Sequence, residues 1–442
     1  MEESVMKGNP NQQGVAMLIL VFMIALALTG YLVSGLNSDS YKRNRERQTA
    51  RVLEQAKEAL IGWSVAHPQF PGTMPFPDRS GDDFNYDGNS DCINITATPL
   101  NYSHLIGRLP FATQTVPCVG TGATQYGLSD NFIDGEGEAL WYAVSRNLIR
   151  PAGLPALVIN PASMNNPTFP WLIVRDKNGQ VISNRVAAVI MSPGRVVGAQ
   201  NRAGGIAGPA AYLDTAVVSG VAYSNANYAM PNEDFIMAED MQLVSNPHPV
   251  YGQPYQFNDK LIFITIDELM LALERRAIRE ARNALQNYYL ASAPAATDRF
   301  YPYAALLGDV DHACVETTLA GGLPIDSPFA ACSHPNVGLN AFLPAWFIES
   351  RWQDFMYYVI SPDCSFATPG CLAGGSITVG AQANVNALLI STGAALVGQN
   401  RPSNNLVDYV DSVENSDGDT VFDAVGTALS NIYNDQMLVV AP

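Results

Sequence analysis

The densest set of metal-capable side chains runs from Asp78 to Asp91 and holds Asp82, Asp83, Asn85, Asp87, Gly88 and Asn89 between them. With Asp83 as position one, oxygen ligands fall at positions one, three and five (Asp83, Asn85, Asp87). Gly88 sits at six for the sharp turn, Asn89 offers a carbonyl at seven, and Asp91 stands at nine. That is the first part of an EF-hand-type loop, and its hard oxygen donors select calcium. Position twelve is Asn94, so the bidentate carboxylate is missing and must come from elsewhere. A solvated Asx-turn loop is the competing reading. A second acidic group, Glu414, Asp417 and Asp419, has worse spacing and is the weaker calcium candidate.

Cysteine and histidine offer a different chemistry. His312 with Cys314, and Cys332 with His334, together make two thiolates and two imidazoles, a zinc set. Disulfides explain the same cysteines better, because Cys92 and Cys118 repeat the pair with no histidine beside them. The pairing expected is Cys92 with Cys118, Cys314 with Cys332, and Cys364 with Cys371 around a Thr-Pro-Gly turn. No HExxH, GxSxG, P-loop or strand-placed GxGxxG occurs, so no residue is assigned a catalytic role.

The 442 residues suffice for two or three domains. A formal charge of −17 excludes nucleic acid as a natural partner, since binding phosphate begins with cations. Val15 to Gly35 is almost unbroken apolar sequence, which as a helix rises about 32 Å and would cross a bilayer core of about 30 Å. The expectation is a single pass through the inner membrane over residues 15–36, with a periplasmic C-terminal part. Lys42, Arg43, Arg45, Arg47 and Arg51 after the span argue for the opposite orientation, and the cysteines argue against it.

A short hydrophilic leader ending in Gly14, then Val15, Ala16, Met17, Leu18 and Ile19 opening an apolar helix, resembles the type IV prepilins and the pseudopilins of type II secretion. The resemblance implies cleavage between Gly14 and Val15 by a prepilin peptidase, and a filament core of bundled N-terminal helices from sister subunits. It covers about 50 residues and departs at Ile19, where most members carry glutamate; the large minor pseudopilin K and some minor pilins also lack it. The function this implies is a non-enzymatic minor pilin or pseudopilin at or near a filament tip, in a pilus or in an extracellular or periplasmic secretion filament. The alternatives are a pseudopilin K-like tip subunit and a membrane-tethered periplasmic binding protein or enzyme.

Downstream, Val52, Leu53, Ala56, Ala59, Leu60 and Trp63 form an amphipathic stripe that Pro68 and Pro71 end. A second stripe, Leu269, Leu273, Ala277, Ala281, Leu285 and Tyr288, follows a capping-box start at Thr265. Ordered matches continue: Trp141–Ser145 with Tyr357–Ser361, Ala188–Arg202 with Ala387–Arg401, and Phe257–Thr265 with Tyr433–Ala441. An ordered series of this kind marks an internal duplication. The expected fold is α+β: a long N-terminal helix, transmembrane then amphipathic, with two tandem pilin-like heads, each a helix on a small antiparallel sheet. The boundaries are 1–14 leader, 15–36 span, 37–265 first head and 266–442 second head.

Overall fold

The computed structural model describes residues 10–80, 86–91, 100–112, 127–150, 157–198, 200–205, 207–229, 234–239, 242–247, 254–325, 338–371, 374–424 and 433–441. The class is α+β. Helix α1 (Pro10–Ala66) is 57 residues long and opens with proline, whose fixed φ and missing N–H suit a helix start. Its second half buries Leu53, Ala56, Leu60 and Ser64 along one stripe. Its first half, Met17 to Tyr31, is bare: Leu18 is 73% exposed, Phe22 62% and Ile24 52%.

Two expectations are corrected here, the transmembrane part of the fold and the single-pass inner-membrane location. Among the described residues no helix is long and apolar enough to cross a membrane. The helix then continues into a charged half that packs on protein.

The first sheet contains β1 (Ile106–Arg108), β2 (Trp141–Val144), β3 (Leu172–Asp176) and β4 (Val181–Ser192). Two short antiparallel ribbons follow, β5 (Thr215–Val218) with β6 (Val221–Ser224), and β8 (Gln242–Pro247) with β9 (Pro254–Gln256). The sheet also takes β7 (Asp234–Met237) and β10 (Lys260–Thr265), in the order β1-β2-β4-β3-β7, with β10 also on β4. After helices α2 (Pro161–Asn165) and α3 (Ile266–Ser292), the second sheet runs β11 (Ala320–Gly322), β12 (Met356–Ile360), β15 (Ala387–Ser391), β17 (Gln436–Ala441), and α4 (Ala345–Glu349) precedes β12. A small third sheet holds β13 (Ile377–Val379), β14 (Gln382–Val385) and β16 (Val421–Phe422).

The antiparallel path β1-β2-β4-β10 and the path β11-β12-β15-β17 agree in register. Ala143 faces Val189 as Val359 faces Leu388, and Ile262 faces Ile190 as Leu438 faces Leu389. The strand before each sheet agrees as well: Asp78 exchanges backbone hydrogen bonds with Arg108 as Ala305 does with Gly322. Tyr142 Oη donates to the Pro75 carbonyl at 3.3 Å and Tyr358 Oη to that of Pro302 at 3.2 Å. This close approach needs glycine at Gly107 and Gly321, where a Cβ would lie 2.3 Å from Asp78 O and 2.0 Å from Ala305 O. Gly321→Ala must therefore push the Ala305 strand away from the sheet, and thermal unfolding is expected to show a loss of about 2 kcal/mol or more.

The two sheets do not have separate cores. Helix α3 buries Ile266, Leu269, Met270, Leu273, Ala277, Ile278, Ala281, Ala284, Leu285 and Tyr288. A stripe that wide contacts β4 and β10 of the first sheet, β15 and β17 of the second, and α1. One continuous apolar cluster consequently runs from Leu53 through both sheets to Val440.

Candidate functional site

The chain that leaves α1 is stopped by Pro68 and Pro71 and delivers Asp78 to the edge of the first sheet, where its backbone is held by Arg108. Asp78 is 1% exposed. Its Oδ2 accepts the Gly88 N–H at 2.9 Å, while its Oδ1 is buried with no hydrogen-bond partner among the described residues. Gly88 has φ +86°, and a Cβ there would meet the Phe111 ring at 2.6 Å, so only glycine makes this turn. The turn carries Asp87 and Asp91 to the same place, and one carboxylate oxygen from each of Asp78, Asp87 and Asp91 lies within 4.8 Å of the others. The Arg79 N–H donates to Asp91 Oδ2. Burial first, then the carboxylates of Asp91 and Asp87, push the Asp78 pKa up to about 8 against the opposing Gly88 hydrogen bond and Arg108 charge.

Of the expected calcium ligands, Asp87 and Asp91 are thus brought together. Asn89 is beside them, but its Nδ2 donates to Asp87 Oδ2 at 2.6 Å and so orients a carboxylate. Asp83 and Asn85 lie outside the described residues. Asp78, quoted within the cluster but not counted as a ligand, was missed because the loop spacing begins after it. Only the fold pairs its position with Ala305 of the other unit, where the buried side chain is apolar. Glu414, Asp417 and Asp419 form no such group. Asp417 Oδ1 accepts the Asp419 N–H and Asp419 Oδ1 the Val421 N–H, as in solvated turns.

Cys364 and Cys371 are joined as a disulfide with Cα atoms 4.5 Å apart. Cys314 is also disulfide-bonded, which removes its thiolate from any zinc set. Cys92, Cys118, Cys332 and His334 lie outside the described residues. His312 turns with φ +50° and places Nε2 2.9 Å from Asp354 Oδ1, whose Oδ2 takes Arg351 Nε at 2.8 Å. Burial works against the Asp354 carboxylate, but the hydrogen bonds and charges of His312 and Arg351 prevail and hold its pKa below the ordinary value. These three line a cavity of about 330 Å³ between α2 and the second unit, with Phe355, Arg401 and Tyr409 on other walls. Among the described residues no serine or cysteine lines it.

The repeated Gln-Asn-Arg segment, Gln200–Arg202 and Gln399–Arg401, builds a polar lock in each unit. Asp214 N–H donates to Asp259 Oδ2, and Asp411 N–H to Asp435 Oδ2, each at 2.7 Å. Gln200 Nε2 holds Asp214 Oδ1 and Gln399 Nε2 holds Asp411 Oδ1, each at 2.9 Å. Arg202 and Arg401 clamp the turn by donating to Gly194 O at 2.7 Å and Gly393 O at 2.8 Å. Asp259 Oδ1 and Asp435 Oδ1 are buried without partners in both copies. Burial and the neighbouring Asp214 hold the Asp259 carboxyl well above its ordinary pKa, and burial with Asp411 pushes Asp435 up to about 7. Because the lock recurs, it belongs to the framework.

No family model, curated protein or solved structure matches the chain.

Proposed function

We propose that the chain is a non-enzymatic filament subunit of the type IV pilus or type II secretion kind, a minor pilin or pseudopilin that sits at or near the tip. The bare first half of α1 carries this reading. A helix apolar on every face is stable only when covered, and Met17, Leu18, Leu20, Val21, Phe22 and Ile24 are all more than half exposed. Apolar helices of sister subunits fit that need, and they leave the packed half of α1 free to carry the two sheets. The leader ending in Gly14 and the apolar start at Val15 support the same reading.

Ile19 supports the tip. A subunit without an acid there accepts no neighbour's N-terminal amine, which suits the last position of a filament. The mass of the doubled head suits it as well.

A photo-cross-linking residue at Leu20 or Ile24, in cells that assemble filaments, is expected to give adducts containing other filament subunits, with an N-terminus at Val15 by mass spectrometry. An intact Met1 in cells with active prepilin peptidase, together with no subunit adduct, would sink the filament reading. Immunogold label spread evenly along sheared filaments would refute the tip position alone. The 330 Å³ cavity beside α2 favours a second reading, a small-molecule binding protein. It requires saturable ligand binding by chains that never enter a filament.

A further inference from the structure

The two units share their backbone plan at the entry to each sheet, yet one places Asp78 where the other places Ala305. The aspartate is as buried as the alanine, at 1% exposure. Folding around a carboxylate in that position is unfavourable unless something compensates it. Among the described residues Asp78 makes no ion pair, and its Oδ1 has no hydrogen-bond partner. The nearby Arg108 guanidinium is stacked 4.3 Å over the Tyr86 ring and donates to Tyr212 Oη at 3.0 Å.

The geometry points to a divalent-cation site, selective for calcium, formed by the carboxylates of Asp78, Asp87 and Asp91. The donors are all carboxylate oxygens, which suits a hard cation and not zinc or copper. The three oxygens lie within 4.8 Å of one another, close enough for one cation to reach all three. Burial falls from Asp78 through Asp91 to the exposed Asp87. The site is therefore closed below and open above, with an entry path and room for the waters that complete six to eight ligands. Gly88 and Asn89 pre-arrange it: the Gly88 N–H fixes Asp78 Oδ2, and Asn89 fixes both oxygens of Asp87. Three carboxylates this close repel one another when ionised, and a bound dication removes that repulsion. The ion would tie the strand after α1 to the turn at Gly88, and so to Phe111. This inference stands independently of the filament reading.

The test uses the full chain in detergent, stripped with EGTA, then titrated with calcium or magnesium chloride while unfolding is followed by heat. Terbium luminescence sensitised by Tyr86 provides a second readout. Calcium is expected to raise the melting temperature saturably, since a ligand bound only by the folded state stabilises it by mass action, and to displace terbium. Asp78→Asn should melt cooperatively in EGTA and bind calcium roughly tenfold or more weakly. Should that variant not fold, the exposed Asp87→Asn carries the same expectation, and Asp417→Asn should respond like the wild type. A wild type insensitive to millimolar calcium, or a folded Asp78→Asn or Asp87→Asn with the full calcium response, overturns the site. A response to magnesium alone overturns the calcium assignment.

Discussion

Glu274→Gln is expected to stabilise the protein at pH 8.5 by on the order of 2–4 kcal/mol, and to change little at pH 5. Glu274 lies within the apolar stripe of α3 and is 4% exposed. Its Oε2 accepts Gln436 Nε2 at 2.6 Å. Burial pushes its pKa up to about 8; Asp435 adds to the rise, while the Gln436 hydrogen bond and Arg401 oppose it. The folded state thus holds a proton that the unfolded chain releases near 4.5. Stability from this group is complete below that value and is lost as pH climbs through about 8. A glutamine stays neutral throughout, so the two proteins should diverge between those limits and run parallel above them. Melting curves at pH 5, 7 and 8.5 decide the matter, and a constant difference across that range would refute the assignment.

Arg401→Met is expected to cost about 3–5 kcal/mol at pH 8, the usual result of removing one partner from a buried charged network. The guanidinium is held by Gly393 O at 2.8 Å, Gln399 Oε1 at 2.8 Å, Tyr409 O at 2.9 Å and Thr392 Oγ1 at 3.0 Å. Its positive charge opposes the rise that burial imposes on Asp411 and Asp435. Without it those carboxyls titrate still higher, so the loss should shrink toward pH 5, where Asp435, already at about 7 in the wild type, is protonated. Adding Asp435→Asn to Arg401→Met should recover part of the loss at pH 8. Urea unfolding of the single and double variants at both pH values is the measurement. Equal losses at pH 5 and 8, with no recovery in the double variant, would show that the lock acts by packing alone. Arg202→Met tests the other copy, where Arg202 additionally pairs with Glu138 at 3.0 Å.

The paired segments were legible because a strand's identity is carried by a few consecutive side chains. Ala188–Arg202 and Ala387–Arg401 match as strings, and their strands β4 and β15 take the same partners in the same register. The stripes of α1 and α3 were legible for a similar reason, since the 3.6-residue period is a property of the chain itself. Trp63 is less buried than its place on the stripe suggests, and Ser64 is fully buried in its stead. Leu53, Ala56 and Leu60 keep their places on the stripe, so only its last turn shifts, where α1 packs against β10 and α3.

Sequence alone determined the helices, the duplicated strand order, the acidic loop and the apolar start of α1, because each is written in residues close together along the chain. Tertiary structure decided how those pieces meet. It brought Asp78 to Asp87 and Asp91, made α3 the wall between two sheets and buried Glu274 within that wall. Burial and charge depend on what distant segments pack against a group, so a carboxylate that reads as an ordinary surface acid in the sequence becomes, once covered, a proton holder or a cation ligand.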